Sequence, residues 1–219
     1  MKNFKLPTVT AHSGCEGTAE NSVESIRKAA EVGADIIEID IRFASDGTPV
    51  LSHDAPRGKE VTLDAAFEVI AEYPSLKVNL DIKETTHLEE ITPLAKKRGV
   101  TDRIFYTGIF AKDVPAVKAK TPDMKYYLNY NLPPSVFQTR LFISHLCKKI
   151  KKLGAAGLNA NHILITERLC KAVLSEGLEL SLWTVNKAED MKRALKLKPD
   201  NITTRHPSDM IKILKEKEF

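Results

Sequence analysis

Strand-type runs and amphipathic helical stretches alternate eight times through this chain, and no other feature restricts its fold as much. The strand candidates are TVTAH near residue 8, IIEIDIRF from Ile36, KVNLDIK from Lys77 and RIFYTGI from Arg103. They continue with KYYLNYN from Lys125, AAGLNAN from Ala155, ELSLWTVN from Glu179 and NITT from Asn201. Between and after them run SVESIRKAAEVG, LDAAFEVIAEYP, LEEITPLAKKRG, AKDVPAVKAKTP, SVFQTRLFISHLCKKIKKLG, TERLCKAVLSEG, AEDMKRALKLKP and SDMIKILKEKE, with helical spacing of their apolar residues. Asn21 or Ser22 can cap the first helix; Gly33, Gly99, Gly154 and Gly177 stand at helix ends, and Pro122 and Pro199 stop two more. Strand then helix, eight times over, predicts an α/β chain folded as a (β/α)8 TIM barrel. A doubly wound open sheet would call for dinucleotide spacing in the first strand–helix turn, and GCEGTAEN lacks it. Such barrels run as a unit at about 200–250 residues, so the 219 residues are expected to form one domain over 1–219.

The second strand carries an anomaly. Glu38 and Asp40 lie two apart in an otherwise apolar, β-branched run, hence on one face of the strand. Asp81 and Lys83 repeat that spacing on the third strand. In a barrel these positions fall at the C-terminal strand ends, where βα-loops form the active-site mouth. With the two strands adjacent, Glu38, Asp40 and Asp81 converge, and three carboxylates that close stay ionised only beside a cation. Oxygen ligands alone suit Mg2+ or Ca2+ better than Zn2+. The alternative is pairing of the acids with Arg42 or Lys83.

His12 ends the first strand. Asp46-Gly47 between β-type runs reads as a turn that returns the chain through TPVLSH and brings His53 toward the acids. Two imidazoles at such a mouth make a general acid and base pair. His87, His145, His162 and His206 have no chemical company in the sequence and read as incidental.

Charge and cysteines narrow the classes further. Lys and Arg exceed Asp and Glu by only four and are dispersed. The densest cluster, Lys148, Lys149, Lys151 and Lys152, reads as the solvated end of one helix rather than a nucleic-acid or lipid patch. Cys15, Cys147 and Cys170 are too few and too far apart for a disulfide framework or a thiolate metal site. MKNFKLPTVT has no apolar leader core, and no run is long enough for a membrane anchor, so a cytoplasmic protein is expected.

At these residues the chain resembles the glycerophosphodiester phosphodiesterase family, whose barrel is of the phosphatidylinositol-phospholipase-C-like kind. The resemblance rests on His12-Ser13-Gly14, Ala19-Glu20-Asn21-Ser22, Glu38-Ile39-Asp40-Ile41, Asp46-Gly47, His53-Asp54, Asp81-Ile82-Lys83 and Trp183-Thr184-Val185-Asn186, in that order. It implies metal-dependent hydrolysis of a small glycerophosphodiester to glycerol 3-phosphate and an alcohol, in glycerol and lipid metabolism. It also implies that Glu38, Asp40 and Asp81 hold a divalent cation, with Glu20 beside them. His12 and His53 would be the acid and base, Lys83 would contact the phosphodiester, and Trp183 would line the substrate cleft. In the family the first attack is thought to come from a neighbouring glycerol hydroxyl, giving a cyclic phosphate that water opens.

Three departures bear on the substrate. Ser13 occupies the place of a family arginine, so a charged, forked phosphate donor is absent at that substrate-binding position. Asp81 replaces a glutamate, which shortens one ligand arm. Only APRGKEVT separates His53-Asp54 from the next helix, where the family has a longer cap; Arg57 or Lys59 on this loop could stand in for the missing arginine. Sugar phosphodiesters and lysophospholipids remain alternatives within the reaction class. Outside it stand a degenerate barrel that binds phosphorylated ligands, and a Schiff-base enzyme using Lys83, which the nearby acids disfavour by raising its pKa.

Overall fold

The computed structural model describes residues 6–216. Outside it lie the first five residues, part of the stretch read above for a leader, and the last three, which include the end of the final helical stretch. The described residues form nine strands and eight α-helices. The strands are β1 (Thr8–Ala11), β2 (Ile36–Phe43), β3 (Pro49–Leu51), β4 (Lys77–Ile82), β5 (Ile104–Ile109), β6 (Tyr126–Asn129), β7 (Gly157–Asn161), β8 (Glu179–Trp183) and β9 (Asn201–Thr204). Eight of them are parallel and close into a barrel, because β1 pairs with β9 on one side and β2 on the other. The eight expected strands are therefore the barrel staves. The ninth, β3, is the return arm of a hairpin, antiparallel to β2 with Ile41 opposite Leu51. The Asp46-Gly47 turn makes it: the Gly47 N–H donates to the Ala44 carbonyl, and the Thr48 N–H to Asp46 Oδ1, both at 2.9 Å.

The helices are α1 (Val23–Glu31), α2 (Leu63–Ala71), α3 (Ile91–Lys97), α4 (Val114–Lys120), α5 (Arg140–Leu153), α6 (Glu167–Ser175), α7 (Ala188–Lys196) and α8 (Pro207–Glu216). Ser22, not Asn21, caps α1, its hydroxyl accepting the Ser25 N–H at 3.1 Å. Two expected helices are shorter than their amphipathic stretches, since Leu88–Glu90 and Ser135–Phe137 are 3-10 turns. Lys151 pairs with Glu176 at 2.6 Å and Lys149 lies over the Tyr130 ring, so part of the lysine cluster serves helix surfaces. All three cysteines are free and buried. Among the described residues no helix is long and apolar enough to cross a membrane.

Each stave has two faces of opposite character, as its period-2 geometry requires. Ile37, Ile39, Ile41, Val78, Leu80, Ile82, Leu158, Leu180, Leu182 and Ile202 form the buried layer between sheet and helices. The alternate positions face the lumen and are polar: Thr10, Glu38, Asn79, Thr107, Asn159, Ser181, Asn201 and Thr203 are all buried. They satisfy one another, as buried polar groups must. Thr10 donates to Asn201 Oδ1 (2.7 Å), Asn201 to Ser181 Oγ (3.0 Å) and Asn159 to Asn129 Oδ1 (3.0 Å), and Thr107 Oγ1 lies 2.9 Å from the Asn79 side-chain amide.

At the N-terminal end of the staves Glu179 answers two partners. Lys125 Nζ lies 2.8 Å from one of its oxygens, and the Tyr127 hydroxyl donates to the other. The Tyr127 ring in turn meets Phe105 edge-on, with centroids 5.4 Å apart.

Candidate active site

The opposite, C-terminal end of the barrel holds a cleft of about 440 Å³. His12, Glu38, Asp40, His53, Asp81, Lys83 and Trp183 all line it, above a floor that includes Asn79, Asn129 and Asn159. The sheet register explains the convergence: Asp40 on β2 is the direct neighbour of Asp81 on β4, and Glu38 of Asn79. Each of Glu38, Asp40 and Asp81 offers an oxygen within 4.8 Å of the others. Glu38 and Asp40 are only 5% and 3% exposed.

Several neighbours fix these acids. Asn21, with φ +54°, grips Asp40 at both ends of its amide: Nδ2 donates to Asp40 Oδ2 (2.8 Å), and Oδ1 accepts the Asp40 N–H (3.0 Å). The sequence offered Asn21 as a helix cap; its tolerance of positive φ is the signal that could have marked it as a clamp. Thr107 donates to Asp81 Oδ1 at 2.8 Å. Beside it β5 shifts register around Gly108, where φ is +75°. A Cβ there would lie 2.4 Å from the Ile82 carbonyl oxygen and 2.9 Å from Asp81 Oδ1, so the close approach of β5 to the acid demands glycine.

Lys83 reaches Asp40 Oδ1 at 2.8 Å and Asp81 Oδ2 at 2.5 Å. Burial alone would lower its pKa, but Asp81 and Asp40 hold it well above the usual lysine range. The pairing weighed from sequence therefore occurs through Lys83. Arg42 instead donates to the His53 carbonyl at 2.8 Å and approaches Glu84. Lys83 does not satisfy the group: three carboxylates face one ammonium. Glu38 accepts the Ser13 N–H at 3.1 Å, and burial, then Asp40 and Asp81, push its carboxyl far above the ordinary range. With all three ionised the group carries an excess of two negative charges on oxygens at ligand spacing, which fits a hard divalent cation.

The two histidines sit in unlike surroundings. His12 Nδ1 is 2.9 Å from the Ser13 carbonyl oxygen, to which it donates in the neutral tautomer, leaving Nε2 as an acceptor. Burial lowers its pKa from 6.5, with the Ser13 carbonyl opposing and Arg205 adding to the fall. His53 arrives on the strand returning from the hairpin, its side chain 64% exposed and its Nδ1 2.9 Å from Asp54 Oδ1. Trp183, at the end of β8, keeps its indole Nε1 buried without a partner in the cleft wall.

Ser13 and Glu20 are not among the residues lining the cleft. Ser13 is fully buried and its hydroxyl accepts the Asn21 N–H inside the β1–α1 loop. Glu20 pairs with Arg205 at 2.6 Å. Arg57 and Lys59 do not line it either, because Glu60 folds their short loop on itself by accepting the N–H groups of Arg57 (2.5 Å), Gly58 (2.8 Å) and Lys59 (2.9 Å). Sequence reasoning missed Asn79, Thr107, Phe110 and Lys112, which line the cleft from β4, β5 and the β5–α4 loop. Only their place at stave ends could have signalled them.

A model of the glycerophosphoryl diester phosphodiesterase family matches residues 10–86 and 55–209. The chain is 25% identical over 247 residues to a glycerophosphodiester phosphodiesterase of Caldanaerobacter subterraneus subsp. tengcongensis, covering 95% of this chain and 98% of that one. It is 37% identical over 168 residues to glycerophosphodiester phosphodiesterase 1 of Bos taurus, covering 74% of this chain and 49% of that protein. Its fold resembles that of an Oleispira antarctica phosphodiesterase solved in complex with the product sn-glycerol-3-phosphate. The TM-score is 0.81 at 20% identity, with 96% of this chain and 97% of that one covered.

Proposed function

From the premise that the chain belongs to the glycerophosphoryl diester phosphodiesterase family, we propose that it is a metal-dependent phosphoric diester hydrolase. It cleaves a glycerophosphodiester to glycerol 3-phosphate and an alcohol. The observation that carries this reading is the single cleft on which Glu38, Asp40, Asp81, Lys83, His12 and His53 converge. The product seen with the Oleispira antarctica relative is the product this reading expects.

Glu38, Asp40 and Asp81 would hold a divalent cation, Mg2+ or Ca2+, which supplies charge neutralisation for the phosphoryl oxygens. Lys83 stands between Asp40 and Asp81 with its ammonium fixed, and offers a hydrogen-bond donor as charge builds on the phosphorus oxygens. His12, kept neutral by burial and held by the Ser13 carbonyl, takes a proton at Nε2 from the attacking hydroxyl. His53, oriented by Asp54 at the open side, returns a proton to the departing alkoxide, and the two imidazoles exchange roles when water opens the cyclic phosphate to glycerol 3-phosphate. Trp183, in the cleft wall, packs its ring against the substrate.

The test is a panel of glycerophosphodiesters with varied head groups under Mg2+, Ca2+ and Mn2+, with a chelated control. Release of glycerol 3-phosphate that chelation abolishes is the expected result. A metal-loaded protein that turns over no diester in the panel would end this reading.

A further inference from the structure

The charge at the mouth has a remainder. Glu38, Asp40 and Asp81 set three carboxylates against Lys83, so a divalent cation only brings the cluster to neutrality. An arriving phosphodiester then adds a further negative charge, and a desolvated anion needs a counterpart. Lys83 is already engaged by two carboxylates. Lys112 lines the cleft from beyond β5, three staves from β1, so among the described residues the His12 side has no lysine or arginine in the lining.

Arg205 stands at the rim there, next to the lining residues rather than among them. It directly follows β9, whose Thr204 is the register partner of Ala11 on β1, so it lies beside the strand end that carries His12. Its backbone is fixed from both directions: its N–H donates to Asn186 Oδ1 at 2.9 Å, and its carbonyl accepts the Glu16 N–H at 2.9 Å. The guanidinium crosses the β1–α1 loop to Glu20, with Nη1 2.6 Å from Oε1. Gly14, with φ +79°, makes that crossing possible, since a Cβ there would lie 2.8 Å from Glu20 Cγ and 3.3 Å from Arg205 Nη1. The Arg205 and Glu20 side chains are 36% and 53% exposed, and a single exposed ion pair is weak enough for an anionic ligand to displace. The positive charge of Arg205 already reaches the His12 ring, where it adds to the lowering of that pKa.

We propose that Arg205, paired with Glu20 until a ligand displaces it, is the phosphate-binding arginine of this cleft, donating a forked pair of hydrogen bonds to the non-bridging oxygens of the substrate and of its phosphomonoester product. A planar guanidinium suits two phosphate oxygens at once, whereas a lysine offers a point charge. The assignment takes its substrate class from the phosphodiesterase reading, but it can be tested without turnover.

The experiment is calorimetric titration of glycerol 3-phosphate, and separately of inorganic phosphate, into the Mg2+-loaded protein and its R205Q, R205K and E20Q variants. Melting curves are taken in parallel. R205Q should weaken both ligands by roughly tenfold to a hundredfold, the range for charged hydrogen bonds, with an unchanged melting temperature. R205K should fall between R205Q and the parent, and added guanidinium should restore part of the R205Q loss. E20Q should bind as well as the parent or better. R205Q binding within about twofold of the parent overturns the proposal, as does E20Q weakening binding as much as R205Q, because the pair is then a structural brace. A protein that hydrolyses no diester yet loses phosphate affinity with R205Q keeps this inference and loses the functional one.

Discussion

The two ends of the barrel pose the same electrostatic problem and resolve it differently. At the N-terminal end each carboxylate has local partners: Glu179 meets Lys125 and the Tyr127 hydroxyl, and Asp35 and Asp200 accept the N–H groups of Val9 and Leu180. At the C-terminal end Glu38, Asp40 and Asp81 meet one lysine, and Glu38 is left pushed up by burial and by its two acidic neighbours. Carboxylates with local partners make a brace. A cluster short of positive charge asks for a partner from solution, and that shortage separates a site from a brace.

The largest expected effect tests this contrast directly. Glu38→Gln, Asp81→Asn or chelation should lower glycerophosphodiester hydrolysis by roughly a thousandfold, the worth of several kcal/mol of charge stabilisation. Glu179→Gln should leave steady-state rates within about twofold. Equal losses at both ends would erase the distinction. Next in size, His12→Ala and His53→Ala should each cost about a hundredfold to ten-thousandfold in kcat. The rise in melting temperature on adding Mg2+ should survive in both, since the three acids remain.

A third prediction concerns pH. His12 has its folded pKa lowered from 6.5 by burial, so as the base it stays neutral below the usual histidine range. The acid limb of kcat/KM should therefore fall below pH 6.5 and be missing from the residual activity of His12→Ala. A limb at or above 6.5 would contradict its assignment as the base. The linked stability has the same sign: it is fully present above the unfolded pKa and is lost as pH falls through the lowered folded one. The smallest effect belongs to the other end. Glu179→Gln should reduce unfolding free energy by about 1 kcal/mol in a denaturant titration, since the Lys125 pair is exposed and the Tyr127 hydrogen bond supplies most of the loss.

Much of this was legible in the residues. The eight staves announced themselves because β-branched runs between helical segments have few other solutions, and Glu38, Asp40 and Asp81 because acids are conspicuous in such runs. The Asp46-Gly47 turn told where His53 returns. Arg205 was not legible: it follows the plain strand NITT, and only barrel closure, which sets β9 beside β1, brings it to Glu20 across the chain. Asn21 was misread for a related reason, since its adjacency to Asp40 depends on a positive φ that composition does not reveal. Local pattern names elements; contacts that cross the closing seam need the closed object.

That seam also sets an order of events in time. β1 has four residues, and its ladder to β9 joins positions such as Thr8 and Asn201, which are 193 residues apart. Contacts of such separation carry the largest loop-closure entropy, and proteins dominated by them fold slowly. His12 lies one residue beyond this stave, and its N–H donates across the seam to the Thr204 carbonyl of β9 at 2.8 Å. On the ribosome, therefore, the acids of β2 and β4 can be in place long before their histidine is locked. The proposed catalytic set is complete only once β9 has paired with β1.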